Sequence, residues 1–195
     1  MFLNQLIVVC ITLFFSTLIC AEGLNGKKHM KKSTVLITFD NERSLDEWRV
    51  TNDSVMGGLS VANTQLDNKV FVFSGNISIE NYGGFTSIFK KLPTLPDDIE
   101  SITIKVLGDG NRYQLRVRSQ VAGYELAYKI DFDTKKGEVE DHTFNLTDFK
   151  ASFRGRIIEN APLLEAESIS HVGFLIKANQ RQHFSLSVQA IKFMG

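Results

Sequence analysis

The chain has 195 residues and 43% hydrophobic content, enough for one domain with a substantial core. Lys plus Arg and Asp plus Glu both number 22, so the net charge is zero and nothing draws the chain as a whole toward nucleic acid or anionic lipid. Both cysteines, Cys10 and Cys20, fall within residues 1–21, so a domain without that segment has no disulfide, thiolate metal site or thiol nucleophile.

Residues 6–19 are an almost unbroken apolar run. That is the length of a signal-peptide hydrophobic region and short of the roughly 20 residues a membrane span needs. With Ala21 as a small residue for cleavage, residues 1–21 are expected to be a signal peptide, the protein exported, and no stable membrane span present. The competing expectation is an untranslated leader and a cytoplasmic protein starting at Met30. Its support is that residues 1–5 carry no base, whereas Lys27, Lys28, Lys31 and Lys32 follow the run. Residues 22–33 read as a polar linker, which leaves residues 34–195 for the domain.

From Val35 onward the apolar residues recur with period two, the pattern of strands with one face in a core. Short strands are expected at 35–39, 70–74, 86–89 and 170–176. Ser44 with Glu47 three residues on has the form of a capping box and predicts one short helix ending near Trp48. Longer rows follow: Ile102, Ile104, Val106; Tyr113, Leu115, Val117, alternating with Gln114, Arg116 and Arg118; then Tyr124, Leu126, Tyr128, Ile130, Phe132. Phe184, Leu186 and Val188 form the last row, and Ile191 and Phe193 fall out of phase with it, which predicts a bulge near Ala190. Turn chemistry at 66–68, 108–111 and 135–137 separates these segments. Many short strands at this spacing predict an all-β fold, a sandwich or jelly roll.

No catalytic constellation is visible. His29, His142, His171 and His183 show no paired ligand spacing, and no serine sits in a nucleophile elbow. No glycine-rich loop leads into a long helix, so a nucleotide cofactor has no cradle. Asp40 and Asp53 are the carboxylates a loop calcium would use, although turn formation is the commoner role for such residues. The expectation is a non-enzymatic binding module with no cofactor and no metal.

Two stretches break the strand pattern alike: Asn52-Asp53-Ser54-Val55-Met56-Gly57-Gly58-Leu59-Ser60 and Asn81-Tyr82-Gly83-Gly84-Phe85-Thr86-Ser87. Paired glycines in such a setting mark a bulge, a positive φ, or the close approach of a backbone or ligand. Both readings stand at this point: glycines that shape the sandwich, and polar neighbours that meet a ligand.

These two stretches resemble the signature of the complex I intermediate-associated protein family, the thirty-kilodalton type. Trp48, Gly75, the run 148–156 and the closing strand fit the same resemblance, which covers 36–194. It implies a galactose-binding-like jelly roll, and for mitochondrial members a role in assembling respiratory complex I. The chain departs from the family pattern at Ser87-Ile88-Phe89, where an Arg is common, and at Gln182-His183-Phe184, where Gly-Pro-Phe is common. Candidate binding residues are Asp53, Ser54, Met56, Gly57, Gly58, Ser60, Asn81, Gly83, Gly84 and Phe85. Arg154 and Gly155 join them, as a guanidinium beside a glycine turn suited to a carboxylate or phosphate. The expected partner is a protein met by an assembly or chaperone-like factor; the alternative is an exported carbohydrate-binding sandwich whose ligand is a glycan.

Overall fold

The computed structural model describes residues 32–121, 123–153 and 155–195; the apolar leader, nearly all of the Lys-rich linker and Arg154 lie outside the described residues. The first strands are β1 (Thr34–Ile37), β2 (Trp48–Asn52), β3 (Val61–Asp67), β4 (Val70–Ile77) and β5 (Phe85–Lys91). The middle of the chain forms β6 (Ser101–Leu107), β7 (Arg112–Val121), β8 (Tyr124–Asp133) and β9 (Val139–Asn145). The last four are β10 (Lys150–Phe153), β11 (Arg156–Ile157), β12 (Ile169–Lys177) and β13 (Gln182–Met194).

These strands pair into two antiparallel sheets, the all-β sandwich that the alternation predicts. One has the order β3-β4-β13-β6-β9, with β1 paired to the second half of β13; the other runs β11-β10-β8-β7-β12-β5-β2. The alternating rows meet between them. Ile102, Ile104, Val106, Leu186 and Val188 face Tyr113, Leu115, Val117, Val172 and Phe174, all fully buried. Phe39, Trp48 and Phe71 stack at one end of this core, with the Trp48 and Phe71 rings 4.7 Å apart. Burying such side chains contributes about 1.5–3 kcal/mol each, the main force holding the sheets together.

The bulge is where the change of phase puts it. Along β13, Val188 pairs with Val106 and Ala190 with Lys105, so Gln189 has no opposite residue. That extra residue returns Ile191 and Phe193 to the core face. The turn after residue 66 is a two-residue hairpin in which Asn68 (φ 48°) and Lys69 (φ 66°) are both left-handed, the twist a tight β-hairpin favours.

Three local readings need correction. The helix before Trp48 is a 3₁₀ turn over Glu42–Glu47 whose N-cap is Asn41. Ser44 lies inside it and donates its hydroxyl to the Asn41 carbonyl at 2.5 Å, so no capping box forms. Tyr124 opens the β8 row but is 74% exposed, because it sits at the hairpin end where the sheet outruns the core. Strands β2, β3, β9, β10 and β11 are additions to the expected set. In β3 and β9 the inward positions are Ala62, Thr64, Leu66 and Glu140, His142, Phe144, so each strand has one large apolar group inward, too few to show a hydrophobic period. Among the described residues, no helix is long and apolar enough to cross a membrane.

Candidate functional site

Asp53 organises the two glycine stretches. It begins a 3₁₀ turn, Asp53–Met56, directly after β2, and its side chain turns inward and is fully buried. Its carboxylate accepts the Ser60 N–H at 2.9 Å on Oδ1. On Oδ2 it accepts the Ser60 hydroxyl at 2.5 Å, the Gly84 N–H at 2.7 Å and the Phe85 N–H at 3.3 Å. The Ser60 hydroxyl in turn accepts the Ser78 N–H at 3.0 Å. One buried carboxylate thus ties the loop after β2 to the loop between β4 and β5.

The glycines make room for this latch. A Cβ on Gly58 would collide with the Asp53 carboxyl group, and one on Gly83 would lie 2.6 Å from Asp53 Oδ2. Gly57 (φ 91°) and Gly84 (φ 129°) take left-handed backbone that side-chain-bearing residues rarely adopt. Burial alone would raise the Asp53 pKa. The Ser60 hydroxyl and the N–H groups of Gly84, Ser60 and Phe85 outweigh it and hold the carboxyl below its ordinary range. An ionised carboxylate ringed by N–H and O–H donors is already satisfied, which is the chemistry of a structural anion and not of a cation ligand. Among the described residues, no cluster of three or more His, Cys, Asp or Glu is placed to hold a metal ion.

The candidate residues therefore divide. Asp53, Ser60, Gly58 and Gly84 are inside the latch, and Gly83 borders it. Ser54, Met56, Gly57 and Asn81 lie on its solvent side. Around them the loops display Val55 (72% exposed), Met56 (66%), Leu59, Val61, Ile79 and Tyr82 (97%). Asn81 (φ 54°) and Tyr82 (φ 62°) are consecutive left-handed residues without a glycine's freedom, a strained turn that holds the tyrosine clear of the surface. Glu80 beside them is ion-paired with Arg181 at the start of β13. Gly155 is not part of this cluster. It occupies the β10–β11 turn at one edge of the seven-stranded sheet, and β2 forms the opposite edge, about 29 Å away at the usual strand spacing.

The three described histidines do not converge; His29 lies outside the described residues. His142 lies on the inner side of β9 against Phe132 and Phe144, His171 points outward from β12 in the other sheet, and His183 is the second residue of β13. Burial first, and then the Arg118 and Lys91 charges, hold the His171 pKa below its ordinary value, with Glu125 opposing.

Residues that the sequence reading did not bring together lie on the outer face of the seven-stranded sheet. Arg49, Thr51, Phe89, Lys91, Arg118 and His171, with Glu47, line a cleft of about 370 Å³ there. The Arg118 guanidinium lies 4.2 Å above the Phe89 ring. The signal for them in the sequence was the polar half of each alternating row, Arg116 and Arg118 included.

Comparison with solved structures finds the same architecture in carbohydrate-binding modules. A family 11 carbohydrate-binding module from Clostridium thermocellum, in complex with a β-1,3-1,4-mixed-linked tetrasaccharide, matches with a TM-score of 0.62 at 12% identity over 82% of this chain and 95% of that one. The family 11 module of a cellulosomal cellulase of the same organism matches equally, over 84% and 96%. An agarase matches with a TM-score of 0.52 at 11% identity over 81% of this chain and 24% of the agarase. At such identities the likeness is one of fold, a jelly-roll sandwich. No curated protein matches the chain significantly by sequence. The model of the complex I intermediate-associated protein 30 family matches residues 37–188, which include β2 through most of β13 and both latched loops. The chain belongs to the complex I intermediate-associated protein 30 family.

Proposed function

We propose that this domain is a protein-binding module of the assembly-factor or chaperone-like kind, and that it engages its partner through the apolar rim of the two latched loops. The carrying observation is Tyr82, 97% exposed on a left-handed turn beside Val55, Met56, Leu59 and Ile79. Large apolar side chains fixed on rigid loops suit a protein interface, where tyrosine is among the residues that dominate binding energy. Family membership supports the same reading. A photo-crosslinker placed at position 82 in native cells is expected to capture a specific protein partner. A variant combining Val55→Ser, Met56→Ser and Leu59→Ser should lose that partner while unfolding as the parent does. Capture of no specific protein, or capture unaffected by the triple substitution, sinks the proposal.

The second reading, a carbohydrate-binding sandwich, draws on the fold shared with the family 11 modules. Its weakness is the outer face, where Phe89 is 8% exposed and lies under Arg118, so a sugar ring finds no platform at the centre. A glycan array with no bound member removes it. The proposal places the partner outside the cytoplasm, since residues 6–19 read as a signal segment. N-terminal sequencing of the native protein tests that point, and a mature chain starting at Met30 reverses it.

A further inference from the structure

The outward side chains of the seven-stranded sheet should be open to solvent, yet Ser87 (5% exposed), Phe89, Gln114, Ser152 (3%) and Leu175 are buried. They lie outside the sandwich core, sheltered by the long side chains of the face itself: Arg118 lies over Phe89, and Arg116 donates to Ser152. Strand register sets one continuous row across its floor: Arg49 beside Phe89, Phe89 beside Gly173, Gly173 beside Arg116, Arg116 beside Lys129, and Lys129 beside Lys150. The neighbouring row adds Lys91, His171 and Arg118. The row spans five strand spacings, about 24 Å.

Charge on this face is one-sided although the whole chain is neutral. The Arg112–Asp133 pair at the end of β7 and β8 cancels itself. Over the rest of the two rows and their flanks, six cations, Arg49, Lys91, Arg116, Arg118, Lys129 and Lys150, face two carboxylates. Asp131 is paired with Lys129 at 2.9 Å and Glu125 with Arg118 at 3.3 Å. Glu47 at the rim is paired with Lys90. No ion pair among the described residues engages Arg49, Lys91, Arg116 or Lys150. Arg116 sits at the centre. Its Nη2 donates to Ser152 Oγ at 2.9 Å, and its buried Nε has no hydrogen-bond partner among the described residues. Gly173 next to it leaves the floor clear, and a Cβ there would strike the Ile88 carbonyl. A half-sheltered guanidinium free of any ion pair among the described residues, amid surplus cations, is arranged to take a carboxylate on its open edge.

We propose that this cationic outer face, with the cleft lined by Arg49, Phe89, Lys91, Arg118 and His171, is a second binding site, which takes an extended acidic peptide segment of the protein partner. A strand-like peptide carries same-side residues about 6.8 Å apart, so about seven residues cross the row and set three or four carboxylates over it. A neutral glycan lacks the charge for these cations, and Phe89 gives it nothing to stack on. The peptide character of the ligand rests on the protein-binding reading above, but the two are tested on different faces and fail separately.

The test is titration of the full chain with an octaglutamate peptide, read by calorimetry and by amide chemical shifts. Binding should shift the amides of β5, β12 and β7 around Gly173 and leave the loops at 54–59 and 79–83 unmoved. Arg116→Gln should weaken it at least tenfold. The exposed pair Arg49→Gln with Lys150→Gln, neither of them in an ion pair among the described residues, should do the same and guards against a folding defect at Arg116. Tyr82→Ser should bind octaglutamate as the parent does. Absence of octaglutamate binding at millimolar concentration, equal binding by both cleft variants, or tighter binding of oligogalacturonate or a single-stranded oligonucleotide than of octaglutamate overturns the proposal.

Discussion

Replacing Asp53 with alanine tests whether the glycine signature is a structural latch. The substitution takes one acceptor group away from the N–H groups of Ser60, Gly84 and Phe85 and from the Ser60 hydroxyl. The site is fully buried, so most of these donors find no replacement. A buried donor without a partner costs about 1–3 kcal/mol, and the 3.3 Å bond from Phe85 weighs least of the four. Asp53→Ala should therefore destabilise the fold by about 3–5 kcal/mol, a large part of the roughly 5–15 kcal/mol a domain has. Trp48 reports the transition, being the single tryptophan, 4% exposed and stacked on Phe71. Urea unfolding followed by its fluorescence gives the difference. Asp53→Asn separates charge from shape, since its amide sets an NH₂ group against N–H donors. The folded-state pKa of Asp53 is depressed, burial opposing and the Ser60 and Gly84 bonds prevailing. Its contribution is thus complete above the ordinary aspartate range near pH 4 and is lost as pH falls through the lower folded value. The gap between parent and Asp53→Asn should be full at pH 7 and shrink below about pH 4. An alanine variant within about 1 kcal/mol of the parent would refute the latch.

Two further outcomes follow from the same geometry. Gly58→Ala should cost about 2–3 kcal/mol because its Cβ meets the Asp53 carboxyl group, whereas Gly57→Ala, with open space but φ 91°, should cost about 1 kcal/mol; equal midpoints in urea would contradict this. Deleting Gln189 removes the bulge and turns either Ile191 and Phe193 or the preceding row toward solvent, at a cost of about 4 kcal/mol or more, while Gln189→Ala stays within about 0.5 kcal/mol; thermal unfolding of both variants checks it.

The fold was legible wherever inward positions carry large apolar groups, as in β6, β7 and β13, and even the extra residue at 189 announced itself by a change of phase. It was hidden in β3 and β9, where Val61 and Val139 face solvent and only Leu66 and Phe144 among the inward residues are large and apolar. The candidate site was half legible. Paired glycines signal a close approach, but only the folded chain shows that what approaches is the chain's own Asp53. The row from Arg49 to Lys150 was not legible at all. Its members come from six strands, and their adjacency depends on non-local pairings such as β12 between β5 and β7 that one sequence does not encode as a pattern.

The latch separates what identifies the family from what a member binds. Asp53, Ser60 and the glycines satisfy one another, so the residues that make the signature recognisable have little left to offer a ligand. What the latch does is fix two loops rigidly enough to hold Met56 and Tyr82 in water, against the cost of exposing them. Changing the displayed side chains leaves every bond to Asp53 in place, so the latch can persist while the surface it displays changes. For the same reason, the latch residues of the signature speak for a shared fold, and a shared partner would have to be read from the displayed residues of the same two stretches. On the proposed reading the partner is met first by residues 54–56, 59, 79 and 82, which are free to vary as far as the bonds to Asp53 are concerned.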